Sequence, residues 1–225
     1  MFGLSGDAGY VARCEALHPS TTPQEVRCAD GANQRTLGHP SACTPYAVAF
    51  VRRVAAGAVR SADVTPAWVA HLLRAPGVAL PDTHVHPDPC AVAAAPGTGL
   101  CVLRGDCAAP ARDAVFVPVP ELETRLGAWL RDTARVAGAL LVTGTETFGV
   151  ARTADGCVAL FDSHGDATQT QPAVAYVWCN NLLGTGRPTI DDGVRGVVDF
   201  VLARAGTELE LIGNSLDVCV LGFSP

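Results

Sequence analysis

A chain of 225 residues is long enough to enclose one sizeable core, and 48% hydrophobic against 17% charged residues excludes a disordered chain or a coiled coil. The formal net charge of −6 excludes a broad basic face for nucleic acid, so no nucleic-acid partner is expected. No run approaches ~18 uninterrupted apolar residues, and Met1-Phe2-Gly3-Leu4 lacks the basic-then-apolar pattern of a signal peptide, so neither a membrane span nor secretion is expected.

All 16 basic residues are arginine, in keeping with a GC-rich coding sequence. The nine cysteines are an odd number and include no Cys-x-x-Cys pair. With no secretion signal, they are expected to be free thiols in a reducing compartment, most of them core filler.

In chain order, residues 1–30 read as a flexible leader with Pro19 and Pro23, leaving 31–225 as one domain. Residues 31–42 form a polar, turn-rich loop. Residues 43–54 are an almost continuous apolar run that predicts a buried helix, with Pro45 suited to its first turn. A second helix starts at Thr65-Pro66, with Thr65 as N-cap, and carries Trp68, Val69, Leu72 and Leu73 inward. Residues 75–120 are rich in Pro and Gly and read as loops with short strands at 100–103 and 114–117.

Leu122, Leu126, Trp129, Leu130 and Thr133 share one helical face over 121–136. Strands follow at 139–143, 147–151, 160–164 and 174–179, with Asp155-Gly156 as a hairpin turn. A helix over 192–205 with Asp192 as N-cap, then strands at 209–212 and 218–223, complete the chain. Helices first and strands later predict an α+β domain, with N-terminal helices packed on a central, mostly antiparallel sheet.

The chemistry-bearing motif is Leu160-Phe161-Asp162-Ser163-His164-Gly165. In an extended strand Asp162 and His164 point to one face, where the carboxylate can accept the imidazole Nδ1–H and stabilise the imidazolium. Such a pair needs a nucleophile. Cys43 is the best placed, since a thiol at a helix N-terminus feels the positive end of the dipole and titrates low. Upstream, Asn33-Gln34 offers uncharged amide donors for an oxyanion, and Gln34 stands nine residues before Cys43.

Cys28 is a rival nucleophile, but no apolar helix follows it. Cys157 and Cys179 lie in strands and read as packing residues. His84, His86 and Cys90 alternate as metal ligands would, yet the Pro-rich run around them reads as a plain loop, so no metal and no cofactor are expected. His18, His39 and His71 have no evident partner.

Taken together, Gly31-Ala32-Asn33-Gln34, the helix-opening Cys43, Val142-Thr143-Gly144 and Leu160–Gly165 resemble the N-terminal deubiquitinase domain of the herpesvirus large tegument protein. That resemblance spans roughly residues 31–165. It implies a papain-like cysteine peptidase that removes ubiquitin or a Nedd8-type modifier. Cys43, Asp162 and His164 would form its triad, and Gln34 its oxyanion donor.

It further implies the N-terminal part of a larger protein that meets other tegument and capsid proteins. Its locations would be the virion tegument and the host cytoplasm and nucleus. The alternative is a catalytically idle tegument module that binds or tethers.

Overall fold

The computed structural model describes residues 22–56, 59–81, 87–103, 115–144, 146–165, 170–179, 189–211 and 215–224. The N-terminal part contains β1 (Gln24–Arg27), α1 (Cys43–Ala56), a 3-10 turn at Ser61–Asp63, α2 (Pro66–Arg74) and the short α3 (Pro89–Ala93). Next come β2 (Leu100–Leu103), β3 (Val115–Pro118), α4 (Val119–Arg131), β4 (Val136–Thr143) and β5 (Glu146–Arg152). The chain closes with β6 (Val158–Asp162), β7 (Val174–Trp178), α5 (Ile190–Leu211) and β8 (Ser215–Phe223).

The strands form one sheet in the order β1-β7-β6-β5-β4-β8-β2, with β3 also paired to β8, and each of these pairings is antiparallel. The α+β class and the antiparallel sheet are therefore as the sequence predicts. None of the described helices is long and apolar enough to cross a membrane.

Both faces of the sheet are covered. Ala159 and Phe161 of β6 pack into a core with Phe50 of α1 and Leu72 and Leu73 of α2. Val158 and Leu160 alternate to the opposite core, with Leu122 and Leu126 of α4 and Val197 and Phe200 of α5. A strand buried on both faces reads as a continuous apolar run, as 158–161 does.

The N-terminal helix of the first layer approaches the sheet at backbone contact. A Cβ placed on Gly149 of β5 would lie 2.7 Å from the carbonyl oxygen of Ala47, and one on Gly138 of β4 would lie 2.7 Å from Cγ1 of Val51. Hydrogen side chains at these two points let α1 settle into the sheet, and this sets where its first residue, Cys43, emerges.

Several expectations are corrected. Residues 1–21 lie outside the described residues, but 22–30 are part of the fold rather than a leader. β1 pairs with β7 as the sheet's edge, and only Val26 of its four residues is buried, so the apolar signal is weak. The helix read as 121–136 ends at Arg131, and Thr133 is exposed beyond it.

The last helix begins near Thr189, whose hydroxyl accepts the Asp192 N–H at 3.3 Å, so Asp192 is not the cap. That helix continues through Leu211, where residues 209–212 read as a strand; Leu and Glu are good helix formers, and four alternating residues do not decide the period.

Cys157 and Cys179 are also not free thiols. They stand opposite each other one step beyond the Val158–Trp178 pair, with Cα atoms 4.8 Å apart, and form a disulfide. That separation is ordinary for directly opposed residues of antiparallel strands. Cys28, Cys43, Cys90, Cys101 and Cys219 are in no disulfide.

Replacing Gly149 with Ala should destabilise the domain by about 1–3 kcal/mol, because the new methyl group meets helix backbone rather than a movable side chain. Chemical denaturation of the variant against the parent measures this directly.

Candidate active site

The site is assembled where β6 ends. Asp162, the last residue of that strand, is fully buried, and its sheet face carries Phe148 of β5 and Tyr176 of β7 packed on Phe200 of α5. Ser163 and His164 leave the strand in a bend. The Asp162 Oδ1 accepts the backbone N–H of His164 at 2.8 Å and also lies 2.8 Å from its Nδ1.

The pairing foreseen from strand alternation is therefore achieved differently. An aspartate side chain gathers the residue two positions on in an Asx-type turn. Gly165 completes that turn at φ 77°, and a Cβ there would lie 2.1 Å from the Gln171 carbonyl oxygen, so only glycine fits. The His164 ring meets Phe148 edge-on at 6.2 Å.

Cys43, the first residue of α1, is buried, and its side chain is a hydrogen-bond partner of the His164 ring. With Nδ1 turned to Asp162, Nε2 is the nitrogen left for the thiol. The helix N-terminus adds its positive end at Cys43. Desolvation works to lower the His164 pKa, but hydrogen bonds and charge from Asp162 and Cys43 outweigh it and raise the value to about 10. Burial likewise works to raise the Asp162 pKa, and the hydrogen bond and charge of His164, with the charge of Arg204, hold it below the usual carboxylate range. The arrangement favours an imidazolium between a carboxylate and a thiolate.

Gln34 lies between the two segments that meet here. Its Oε1 accepts from the Ser163 hydroxyl at 2.8 Å, its backbone N–H donates to the Ser163 carbonyl at 3.0 Å, and its Nε2 donates to the Pro40 carbonyl at 2.9 Å. One side of the amide is thus tied next to His164 and the other just upstream of Cys43. The short connection from Gln34 to Cys43 is closed by the His39 N–H to Gln34 carbonyl bond, the Ala42 N–H to His39 carbonyl bond, and Gly38 at φ 83°.

Asn33, read together with Gln34 as an amide donor, has another task. Its Oδ1 accepts from the N–H groups of Arg35 and Thr36, and its Nδ2 donates to the Gln171 carbonyl at 2.8 Å.

Compared with family models and with curated proteins, the sequence matches none.

Two contributors escaped sequence reasoning. Ser163 anchors Gln34, and nothing about a serine inside Asp-Ser-His advertises that. Arg204 of α5 reaches the far side of the Asp162 carboxylate, with Nη2 3.7 Å from Oδ2, and forms a paired contact with Glu146 at 3.1 Å through each of Nε and Nη2. Its one signal was a lone charge following the apolar run 200–203.

The rival nucleophile Cys28 falls away. Cys28 is buried beside Asp30, its thiol 2.9 Å from Oδ1, and burial with that carboxylate raises its pKa, the wrong direction for a nucleophile. Cys90 points into the core, 3.1 Å from the sulfur of Cys219, while His84 and His86 lie outside the described residues. Among the described residues no cluster has the makings of a metal site.

A carboxyl held low in the native state stabilises the fold above the ordinary carboxylate pKa of about 4, and that contribution is lost as pH falls through the native value. Asp162→Asn should therefore be less stable than the parent at neutral pH, with the gap narrowing below about pH 4. Unfolding midpoints in urea across this range test the sign.

Proposed function

We propose that this chain is a thiol peptidase of the deubiquitinase kind. The observation that supports it most is the bonding of His164 on both sides, to Asp162 through Nδ1 and to the side chain of helix-opening Cys43. A buried histidine with only a structural role needs neither a cysteine at a helix N-terminus nor an amide anchored alongside. The substrate class comes from the resemblance of the Gln34, Cys43 and Leu160–Gly165 segments to the tegument deubiquitinase domain. On the same resemblance the chain would act in the virion tegument and the host cell as part of a larger protein.

In this reading the Cys43 thiolate attacks the carbonyl carbon of the modifier's C-terminal glycine, and the carbonyl oxygen becomes an oxyanion. The first turn of α1 directs N–H groups out of the helix toward that oxygen, and Gln34 supplies an amide at its side. Collapse of the tetrahedral adduct breaks the C–N bond, and the His164 imidazolium protonates the leaving amine. A water deprotonated by His164 then attacks the thioester, the C–S bond breaks, and the carboxylic acid leaves and ionises in solvent, restoring the Cys43 thiolate and the His164 imidazolium. Throughout, Asp162 fixes the tautomer and orientation of the ring.

A ubiquitin bearing a C-terminal electrophile should label the protein at one residue, Cys43, and Cys43→Ala should abolish labelling. Unchanged labelling of that variant would refute the assignment, and absence of labelling in the parent would leave the idle-module alternative. With a fluorogenic ubiquitin amide, Gln34→Ala should lower kcat by about 10²-fold with a smaller change in KM, as loss of one oxyanion donor does.

A further inference from the structure

Arg204 is the most enclosed of the ion-paired arginines among the described residues. Its side chain is 8% exposed, and the two carboxylates it faces, Glu146 and Asp162, have side chains 23% and 1% exposed. Burying a guanidinium is expensive, and an ion pair with Glu146 alone could be formed at the rim of the sheet at lower cost. The geometry takes the group further in. Both Asp162 and Glu146 occupy strand ends on the sheet face covered by α5, and the guanidinium lies between them.

The division of labour at Asp162 is unequal. Oδ1 takes both hydrogen bonds from His164, whereas Oδ2 is buried with no hydrogen-bond partner and has the Arg204 Nη2 at 3.7 Å. At that distance the guanidinium acts on Oδ2 by charge rather than by a hydrogen bond.

We infer that Arg204 is a positioning residue for the thiol chemistry. It keeps Asp162 ionised and therefore able to hold His164, while Glu146 tempers the positive charge that reaches the site. This rests on reading Cys43 as the nucleophile.

Among the described residues, the charged and titratable groups that face Asp162 include the buried phenol of Tyr176 on β7, on the same sheet face. His164 lies on the turn after its own strand, Arg204 comes from α5, and Glu146 comes from β5 and acts through Arg204. Cys43 of α1 acts through His164. Val174 of β7 and Phe148 of β5 complete the surroundings with apolar surface.

The signs follow. Removing the positive charge makes Asp162 easier to protonate and leaves the Cys43 thiolate less stabilised, so both effects move the acid limb of thiol reactivity to higher pH. Removing Glu146 takes one negative charge away from the guanidinium, so more of its positive charge acts on Asp162, and this moves the limb the other way. A purely structural ion pair behaves differently, because losing either partner then breaks the same contact and shifts the profile in neither direction, or in the same direction for both.

The test is the rate of Cys43 alkylation by iodoacetamide across pH, read on the Cys43 peptide by mass spectrometry for the parent, Arg204→Met, Glu146→Gln and Arg204→Lys. Arg204→Met should raise the acid midpoint by roughly one unit, as loss of a close opposite charge does. Glu146→Gln should lower it, and Arg204→Lys should recover most of the parent profile. Superimposable midpoints, or shifts of one sign for Arg204→Met and Glu146→Gln, would overturn the inference while leaving Cys43 as nucleophile. A parent Cys43 that reacts no faster at acidic and neutral pH than an ordinary thiol would overturn the peptidase reading itself. Should Arg204→Met fail to fold, the Glu146→Gln midpoint decides: a fall supports the inference and no fall refutes it.

Discussion

An ionised carboxylate enclosed in apolar surroundings is unstable unless its lone pairs and charge are answered, and Asp162 sits at the end of β6 with no access to water. The answer on one side is His164, which gives a backbone N–H and a ring nitrogen to the same oxygen. On the other side it is the charge of Arg204. Breaking such a buried pair typically costs about 3–5 kcal/mol, so the fold and the proposed chemistry draw on one contact. The ring is held where it meets Cys43 because the carboxylate would otherwise be stranded.

That meeting also depends on how close α1 comes to the sheet. The helix lies on β5 at Gly149, where a Cβ would meet the Ala47 backbone, and on β4 at Gly138, where a Cβ would meet both the Val150 carbonyl of β5 and the Val51 side chain. The hydroxyls of Thr44 and Thr147, 2.9 Å apart and buried, pin its first turn to the start of β5. Cys43 therefore has little freedom to move relative to the strands that carry His164. On the other flank the 33–42 loop is anchored by the buried amides of Asn33 and Gln34, so Cys43, His164 and the Gln34 amide are fixed by three separate sets of contacts. In the proposed reaction, preorganisation of this kind would spare the reorganisation that a transition state otherwise demands.

The sequence carried much of this in readable form, because the pieces obey short-range rules. An apolar run opened by Cys43 reads as a buried helix, Thr65-Pro66 as a helix start, and Asp155-Gly156 as a turn. Asp162 and His164 were legible as a pair, although the reason was an Asx-type turn at the strand end and not strand alternation. What stayed hidden depends on register and tertiary contact. The Cys157–Cys179 bond requires knowing that β6 and β7 pair with those residues opposed. β1 shows only Val26 as an apolar signal and is recruited by its neighbour. Arg204 lies forty-two positions beyond Asp162 and reaches it only once α5 has packed across the sheet.

If Cys43 and Asp162 together hold His164 as an imidazolium, the ring-nitrogen NMR shifts of His164, followed across pH in the parent and in Cys43→Ala, carry the signature. The ring should stay doubly protonated well above pH 7 in the parent, toward a pKa of about 10, and titrate distinctly lower once the thiol is gone. Identical titrations in the two proteins, near the ordinary histidine value of about 6.5, would contradict it.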